Sequence, residues 1–409
     1  MMPPGSPPDT PDPRGMTRSE LRASASLASI FALRMLGLFL ILPVFAVHAR
    51  GMPGGDDAAL IGLALGIYGL TQALLQLPLG IASDRLGRKP VIVAGLLVFA
   101  LGSFVAAAAD TLWLVVAGRA LQGAGAISAA VTAFIADSTR DSQRTKAMAM
   151  VGGSIGLTFA LSLVLAPLLY AAIGMDGIFA LTGVLALAGI VVVHWITPPA
   201  SAPASHGDER TRFREVAFEP DLMRLNLGIF VLHAVQMAMF VVVPIWLVER
   251  AGLPVDAHWK LYLPVVLASF LIMLPGLLWG ERQGRMRSLF IGAVALLLLV
   301  QLLLALQPSG LVALTGLMLA FFTAFNVLEA SLPSLVSRLA PVDAKGAALG
   351  IYNTTQSLGL FAGGLLGGSL QQWLGKPAVF VACAALSGLW LLAARGHQRW
   401  PSRAQPQAA

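Results

Sequence analysis

The chain has 409 residues, 57% of them hydrophobic and only 11% charged, with a mean hydropathy of +0.79; a soluble globular domain carries roughly a quarter charged residues, so water is not its main solvent. The net charge of +7 and the pI near 10.1 do not imply nucleic acid, because the charges sort by side of a membrane, as set out below. Cys383 is the one cysteine, which excludes an internal disulfide and a cysteine metal cluster, and no metal-ligand spacing of other residues is present.

The first 26 residues (beginning MMPPGSPPDTPDPR) are Pro-rich and polar, and read as a disordered tail rather than a signal peptide. Apolar runs follow at about 27–47, 58–82, 90–109, 112–136, 146–172 and 177–197. Six more stand at about 223–248, 258–279, 288–306, 310–336, 346–373 and 377–395. Each is long enough for a helix to cross a ~30 Å hydrocarbon core. The runs are continuous rather than alternating with period two, so helices satisfy the backbone in lipid and a β-barrel is excluded. Trp113, Trp195, Trp246, Trp259, Trp279 and Trp373 fall near predicted helix ends, where an indole can sit among headgroups. His48, His194 and His258 lie near the same interfaces and are expected to be solvated.

Residues 198–222 mix Pro, Ser and many charges, the composition of a linker, with room for a short amphipathic helix around Arg212 to Phe218. Of the 27 Lys and Arg, four (Arg50, Arg250, Lys260, Lys376) fall on one side, two (Arg34, Arg119) lie within helices and the other 21 fall on the side of both tails and the linker. That asymmetry places both termini in the cytoplasm. The expected organisation is a tail (1–26), a six-helix bundle (27–197), the linker (198–222), a second bundle (223–395) and a second tail (396–409). A weak repeat straddles the linker: Asp84-Arg85-Leu86-Gly87-Arg88 after the second predicted helix, Glu281-Arg282-Gln283-Gly284-Arg285 after the eighth. Parallel repeats about an axis along the membrane normal suit a protein that binds a small molecule between two halves.

The strongest motif runs G-I-A-S-D-R-L-G-R-K from Gly80 to Lys89. Gly80 would let its helix approach a neighbour closely, and Gly87 would permit a tight reversal. Arg85, Arg88 and Lys89 would hold the loop in the cytoplasm, while Asp84 sits where a carboxylate could meet a positive helix terminus, such as the one predicted near Gly346. These six form the expected gating set. Arg119-Ala-Leu-Gln122-Gly123-Ala-Gly125 places an arginine about 10 Å inside the membrane, which marks a functional pathway unless it is a structural pair.

Polar residues recur at helical spacing: Tyr68, Gln72 and Gln76; Arg119 and Gln122; His233 and Gln236; Asn326 and Glu329; Asn353 and Gln356. Together they are expected to line a water-filled substrate cavity, although interhelix hydrogen bonding is the alternative for any one of them. Glu329 is the one carboxylate well inside a predicted helix, and Arg34 lies at similar depth on the first. Alternating apolar and cationic surroundings could load and release a proton there, which makes Glu329 the expected carrier and Arg34 and Arg119 its modulating cations; a static ion pair is the alternative.

The loop motif resembles the signature of the major facilitator superfamily between helices two and three, and R-x-x-Q-G-x-G resembles the helix-four signature of its proton-coupled members. Segments such as SLASIFALRMLGLFLILPV, GRALQGAGAI and FNVLEASLPSLVSRL resemble the YajR-type bacterial transporters over nearly all of residues 27–395. The resemblance implies an all-α fold of twelve transmembrane helices in two six-helix bundles, in the bacterial inner membrane. It further implies proton-coupled efflux of small hydrophobic or amphipathic compounds by alternating access, from a monomer that needs no cofactor beyond a proton gradient. Uptake symport is the alternative. Two features depart from the family: the helix-five antiporter signature is reduced to Ala166-Pro167-Leu-Leu-Tyr170, and YajR-type proteins are associated with a small cytoplasmic domain after the twelfth helix, whereas this sequence ends at Ala409. An enzyme has one weak token, Gly152-Gly153-Ser154-Ile155-Gly156, a G-x-S-x-G string that falls inside a predicted helix among glycines expected to pack closely, not on a strand-to-helix turn. No phosphate loop for ATP is present.

Overall fold

The structure is a computed structural model and describes residues 15–198, 216–341, 344–396 and 400. Among the described residues it is helical with no strand. The first crossing is α1 (Arg18–Phe39) and α2 (Leu42–Ala49), broken at Leu40 and Ile41 just ahead of Pro43. Then come α3 (Ala58–Leu86) and α4 (Arg88–Ala107), joined by Gly87 at φ 94°, where a Cβ would be strained. The fourth crossing splits into α5 (Leu112–Ala124) and α6 (Ser128–Ser138). α7 (Asp141–Val191) is 51 residues long, about 75 Å at 1.5 Å per residue and too long for one crossing. Gly174, at φ 67°, reverses it, and a π-helical turn at Val192–Ile196 ends the sixth crossing. The second half is α8 (Pro220–Glu249), α9 (Trp259–Arg282), α10 (Met286–Ala305), α11 (Leu311–Leu339), α12 (Lys345–Leu374) and α13 (Lys376–Arg395). Among the described residues ten helical runs are long and apolar enough to span. One of them crosses twice at α7, and α12, long but rich in glycine and amides, completes the expected twelve crossings.

α1–α7 pack chiefly with one another, as do α8–α13, and the two sets meet mainly along α3 and α12. That seam is built on small residues. A Cβ on Gly66 would lie 2.9 Å from the Phe361 carbonyl, and one on Gly364 would lie 2.5 Å from the Gly62 carbonyl, so the two backbones touch. Phe159 of α7 adds a second contact at mid-membrane, with ring centroids 6.4, 6.2 and 5.7 Å from Phe240, Phe322 and Phe325 of the other half.

Several expectations need correcting. Residues 18–26 of the expected tail are helical: Thr17 and Glu20 form a capping box at the start of α1, and Glu20 is buried under Arg140 by two side-chain contacts of 2.8 and 2.9 Å. Residues 1–14 lie outside the described residues, as do 199–215 of the expected linker and most of 396–409. The short helix expected around Arg212 to Phe218 therefore falls mostly outside as well. α8 begins at Pro220, with the Glu219 side chain accepting from the Leu222 amide, slightly ahead of the expected start. Trp113, Trp195, Trp279 and Trp373 are exposed at helix ends, but Trp246 is fully buried, its ring 4.9 Å from Phe380 and stacked under Arg250. His258 is buried too, with Nε2 3.1 Å from the Leu253 carbonyl. Both face inward between helices, a distinction that position along the chain does not carry. His48 is half-buried on Tyr170, and His194 is exposed.

Candidate functional site

Arg34 of α1 is fully buried and donates to the Tyr68 hydroxyl at 2.6 Å, to Gln72 Oε1 at 2.9 Å and to Ser128 Oγ at 3.4 Å. Arg119 of α5 donates to Gln122 Oε1 at 2.8 Å and to the Ala64 and Leu65 carbonyls, both at 3.3 Å, while Gln122 Nε2 donates to Ser103 Oγ at 2.8 Å. The Tyr68 ring lies between the two cations, 5.7 Å from the Arg34 and 5.1 Å from the Arg119 guanidinium carbon. Each arginine is thus held by neutral acceptors and an aromatic face, which spreads the charge without a carboxylate partner among the described residues. Gln76, one turn along α3, is buried with both amide atoms unpaired.

The second half brings together residues that the sequence places on three separate helices. His233 Nδ1 of α8 lies 3.2 Å from the Ile229 carbonyl and must donate to it, so the neutral ring's Nε2 is an acceptor. Gln356 Nε2 of α12 donates to that nitrogen at 2.7 Å and reaches Glu329 Oε1 at 3.5 Å. Glu329 Oε2 of α11 stands 3.8 Å from His233 Nε2 and has no hydrogen-bond partner, although the side chain as a whole is 33% exposed. The single lone pair of Nε2 is taken by Gln356, so a bare carboxylate would face a ring nitrogen that cannot donate to it, an arrangement relieved by a proton on the carboxyl. The pairing of Glu329 with Arg34 that equal depth suggested is not made: Arg34 is taken by its own half. Asn326 Nδ2 donates to Ser269 Oγ at 3.0 Å. Tyr68, Gln72, Gln76, Gln122, His233, Gln236 and Asn326 are all buried, so most of the stripe residues join helices rather than line open water; Glu329, Asn353 and Gln356 are the partly open ones.

The two ends of the molecule differ. At the end opposite the basic loops, Glu249 ties the halves together by accepting from Arg50 at 2.5 Å and pairing with Lys376, and the Ala58 amide donates across the seam to Gln372 Oε1 at 2.8 Å. At the basic end, Arg88 donates to Asp137 Oδ2 at 2.8 Å and to Ser83 Oγ at 2.7 Å and pairs with Asp84, while Lys89 donates to the Thr197 carbonyl at 2.5 Å. All of these contacts stay within the first half. Asp84 is 45% exposed and does not meet the α12 terminus; a Cβ at Gly346 or Gly350 would meet open space. The expected docking is absent because the halves are apart at this end. Arg85 is exposed, and Gly80 packs on Ala129, whose Cβ would be 3.2 Å from an added Cβ.

Sequence reasoning missed Ser128, Ser103, Ser357, Asp137 and the Glu249 cluster. Serines inside helices carry little signal alone, and Glu249 sits at a span end, where charge is ordinary. The hydrolase string is inert: Ser154 Oγ bonds to its own helix at the Val151 carbonyl, 2.7 Å away. Gly152, Gly153 and Gly156 face open space rather than packing closely, which corrects the expectation for them.

The sequence model of the Major Facilitator Superfamily matches residues 24–364 and 257–408. The chain is 43% identical over 382 residues to the inner membrane transport protein YajR of Escherichia coli K12, covering 93% of this chain and 84% of that one. It is 28% identical over 353 residues to the multidrug resistance protein MdtH of Photorhabdus laumondii, covering 83% of each. The fold matches the crystal structure of a bacterial homolog of the human lysosomal transporter Spinster with a TM-score of 0.70 at 12% identity, over 94% of this chain and 97% of that one. With twelve helical crossings, most of them strongly apolar, a polar interior at the seam of two helical sets and these relatives, the chain belongs to the major facilitator superfamily and is a multi-pass inner-membrane secondary transporter, not an enzyme.

Proposed function

We propose that the transporter couples proton entry to efflux of small hydrophobic or amphipathic compounds by alternating access, with Glu329 as the proton carrier. The observation that carries this reading is the Glu329 Oε2 atom facing His233 Nε2 at 3.8 Å without a partner: a partly exposed carboxyl whose bare form faces another acceptor and whose protonated form does not. Arg34 and Arg119 set the cationic field of the first half and act on Glu329 through intervening groups. The multidrug name of a relative with 28% identity agrees with efflux. Reconstituted in liposomes with ethidium as the probe, the protein should move dye against an opposing proton flux, and nigericin should abolish that movement. Dye flux unaffected by nigericin would remove the coupling; flux of dye and protons in the same direction would favour symport.

On this reading the basic end is cytoplasmic, the two bundles (27–197 and 223–395, extended to begin at 18 and 220) rock about the seam as a monomer, and residues 80–89 gate the cytoplasmic side. The charge asymmetry predicts that a cysteine replacing Ser205 is protected from an impermeant maleimide in intact cells and reacts once the membrane is permeabilised. Labelling in intact cells would invert the orientation.

A further inference from the structure

The α3–α12 seam is tight from Ala58 to Gly69 and open beyond Gln76, and one polar contact stands where it changes. Gln72 Nε2 donates to Ser357 Oγ at 2.8 Å across the two halves. Its direction is fixed. Arg34 can only donate, so Gln72 Oε1 must accept at 2.9 Å and the amide nitrogen is left to face Ser357, whose own hydrogen goes to the Asn353 carbonyl at 2.9 Å. The chain Arg34 to Gln72 to Ser357 to Asn353 therefore runs one way, from the first half into one turn of α12. The residue beside Ser357 on that turn is Gln356, which holds His233 and reaches Glu329.

We propose that the Gln72–Ser357 hydrogen bond is the positioning contact that links the proton on Glu329 to closure of the Glu249 end. The inference rests on Glu329 being the carrier. With a proton on Glu329, Gln356 stays on His233 as observed and the α12 turn keeps Ser357 under Gln72, so the Glu249 end is shut. The bare carboxylate draws the Gln356 amide toward itself, the turn shifts, and the contact that Arg34 orients is lost. Rigid α12 carries the shift along the glycine seam. The titratable and charged groups facing Glu329 are few: His233 from α8 and Tyr352 from α12, with Phe325 beside His233 and no Lys or Arg contact among the described residues.

The test uses spin-label pairs in protein with Cys383 replaced, one at Asp56 and Asp256 for the Glu249 end, one at Leu86 and Gln283 for the basic end. In the otherwise unaltered protein, acidification from pH 8 to pH 5 should raise the population with the Glu249 end closed. Ser357→Ala and Gln72→Met should each lower the closed-to-open ratio about five-fold, the effect of one hydrogen bond, and flatten its response to pH. The double substitution should do no more than Gln72→Met alone, since Ser357→Ala removes only a contact that Gln72→Met already lacks. A pH response equal to that of the parent in these variants would overturn the contact's role while leaving Glu329 as carrier. A parent protein with no pH response would overturn both.

Discussion

Glu329→Gln should abolish ethidium transport driven by a pH gradient, by at least about ten-fold, while dye counterflow without a gradient stays within about two-fold of the parent. Glutamine keeps the shape of the carboxyl and is neutral like the protonated acid, so the seam geometry is retained while no proton can be loaded or released. A static structural role predicts something different. Burying an amide that satisfies the same neighbours would then leave coupled transport intact, and removing a needed charge would lose folding and counterflow together. Driven transport at parental rates in Glu329→Gln would dismiss it as the carrier.

Gly364→Val is the second large effect. An added Cβ would sit 2.5 Å from the Gly62 carbonyl and 2.9 Å from the Gly66 Cα, both backbone atoms with nowhere to go. Overpacking of this kind costs about 1–3 kcal/mol or more, and the cost falls only on the conformer in which α3 and α12 touch. The variant should therefore insert and fold, hold the Glu249 end open, and lose about ten-fold or more of its transport. Gly388→Val on α13, where an added Cβ meets nothing within 4 Å, is the control and should be near parental. If both variants are equally impaired, the defect is one of helix propensity and the seam is not a closing surface.

Much of the architecture is legible in the sequence, for a plain reason: apolar runs of membrane length state their own structure, and Gly87 states its turn. The capping box at Thr17 and Glu20 was also present in the letters, but it precedes the apolar run and so reads as tail. Which partner a buried polar group takes was not legible. Arg34 and Glu329 share a depth, yet lateral position decides contact, and helix rotation places Tyr68 and Gln72 on the arginine and His233 on the glutamate. The sequence brings Asp84 near a helix terminus that it does not meet here, because such a contact depends on how the two halves sit, which the letters do not carry. The glycines divide the same way: those of α3 and α12 pack backbone on backbone, whereas Gly152, Gly153 and Gly156 look identical in composition and face open space.

The cap of α3 is shared property. Asp57 accepts from the Ala59 and Leu60 amides, but the Ala58 amide is satisfied by Gln372 of the other half. Parting the halves at this end uncaps a helix, and the freed amide emerges at the aqueous face, where water replaces the lost partner at little net cost. The same holds for Arg50, Glu249 and Lys376, which are all partly hydrated already. On the proposed cycle, closure at this end is thus fastened by bonds that solvent can substitute one for one, so it can be firm in geometry and still shallow in energy.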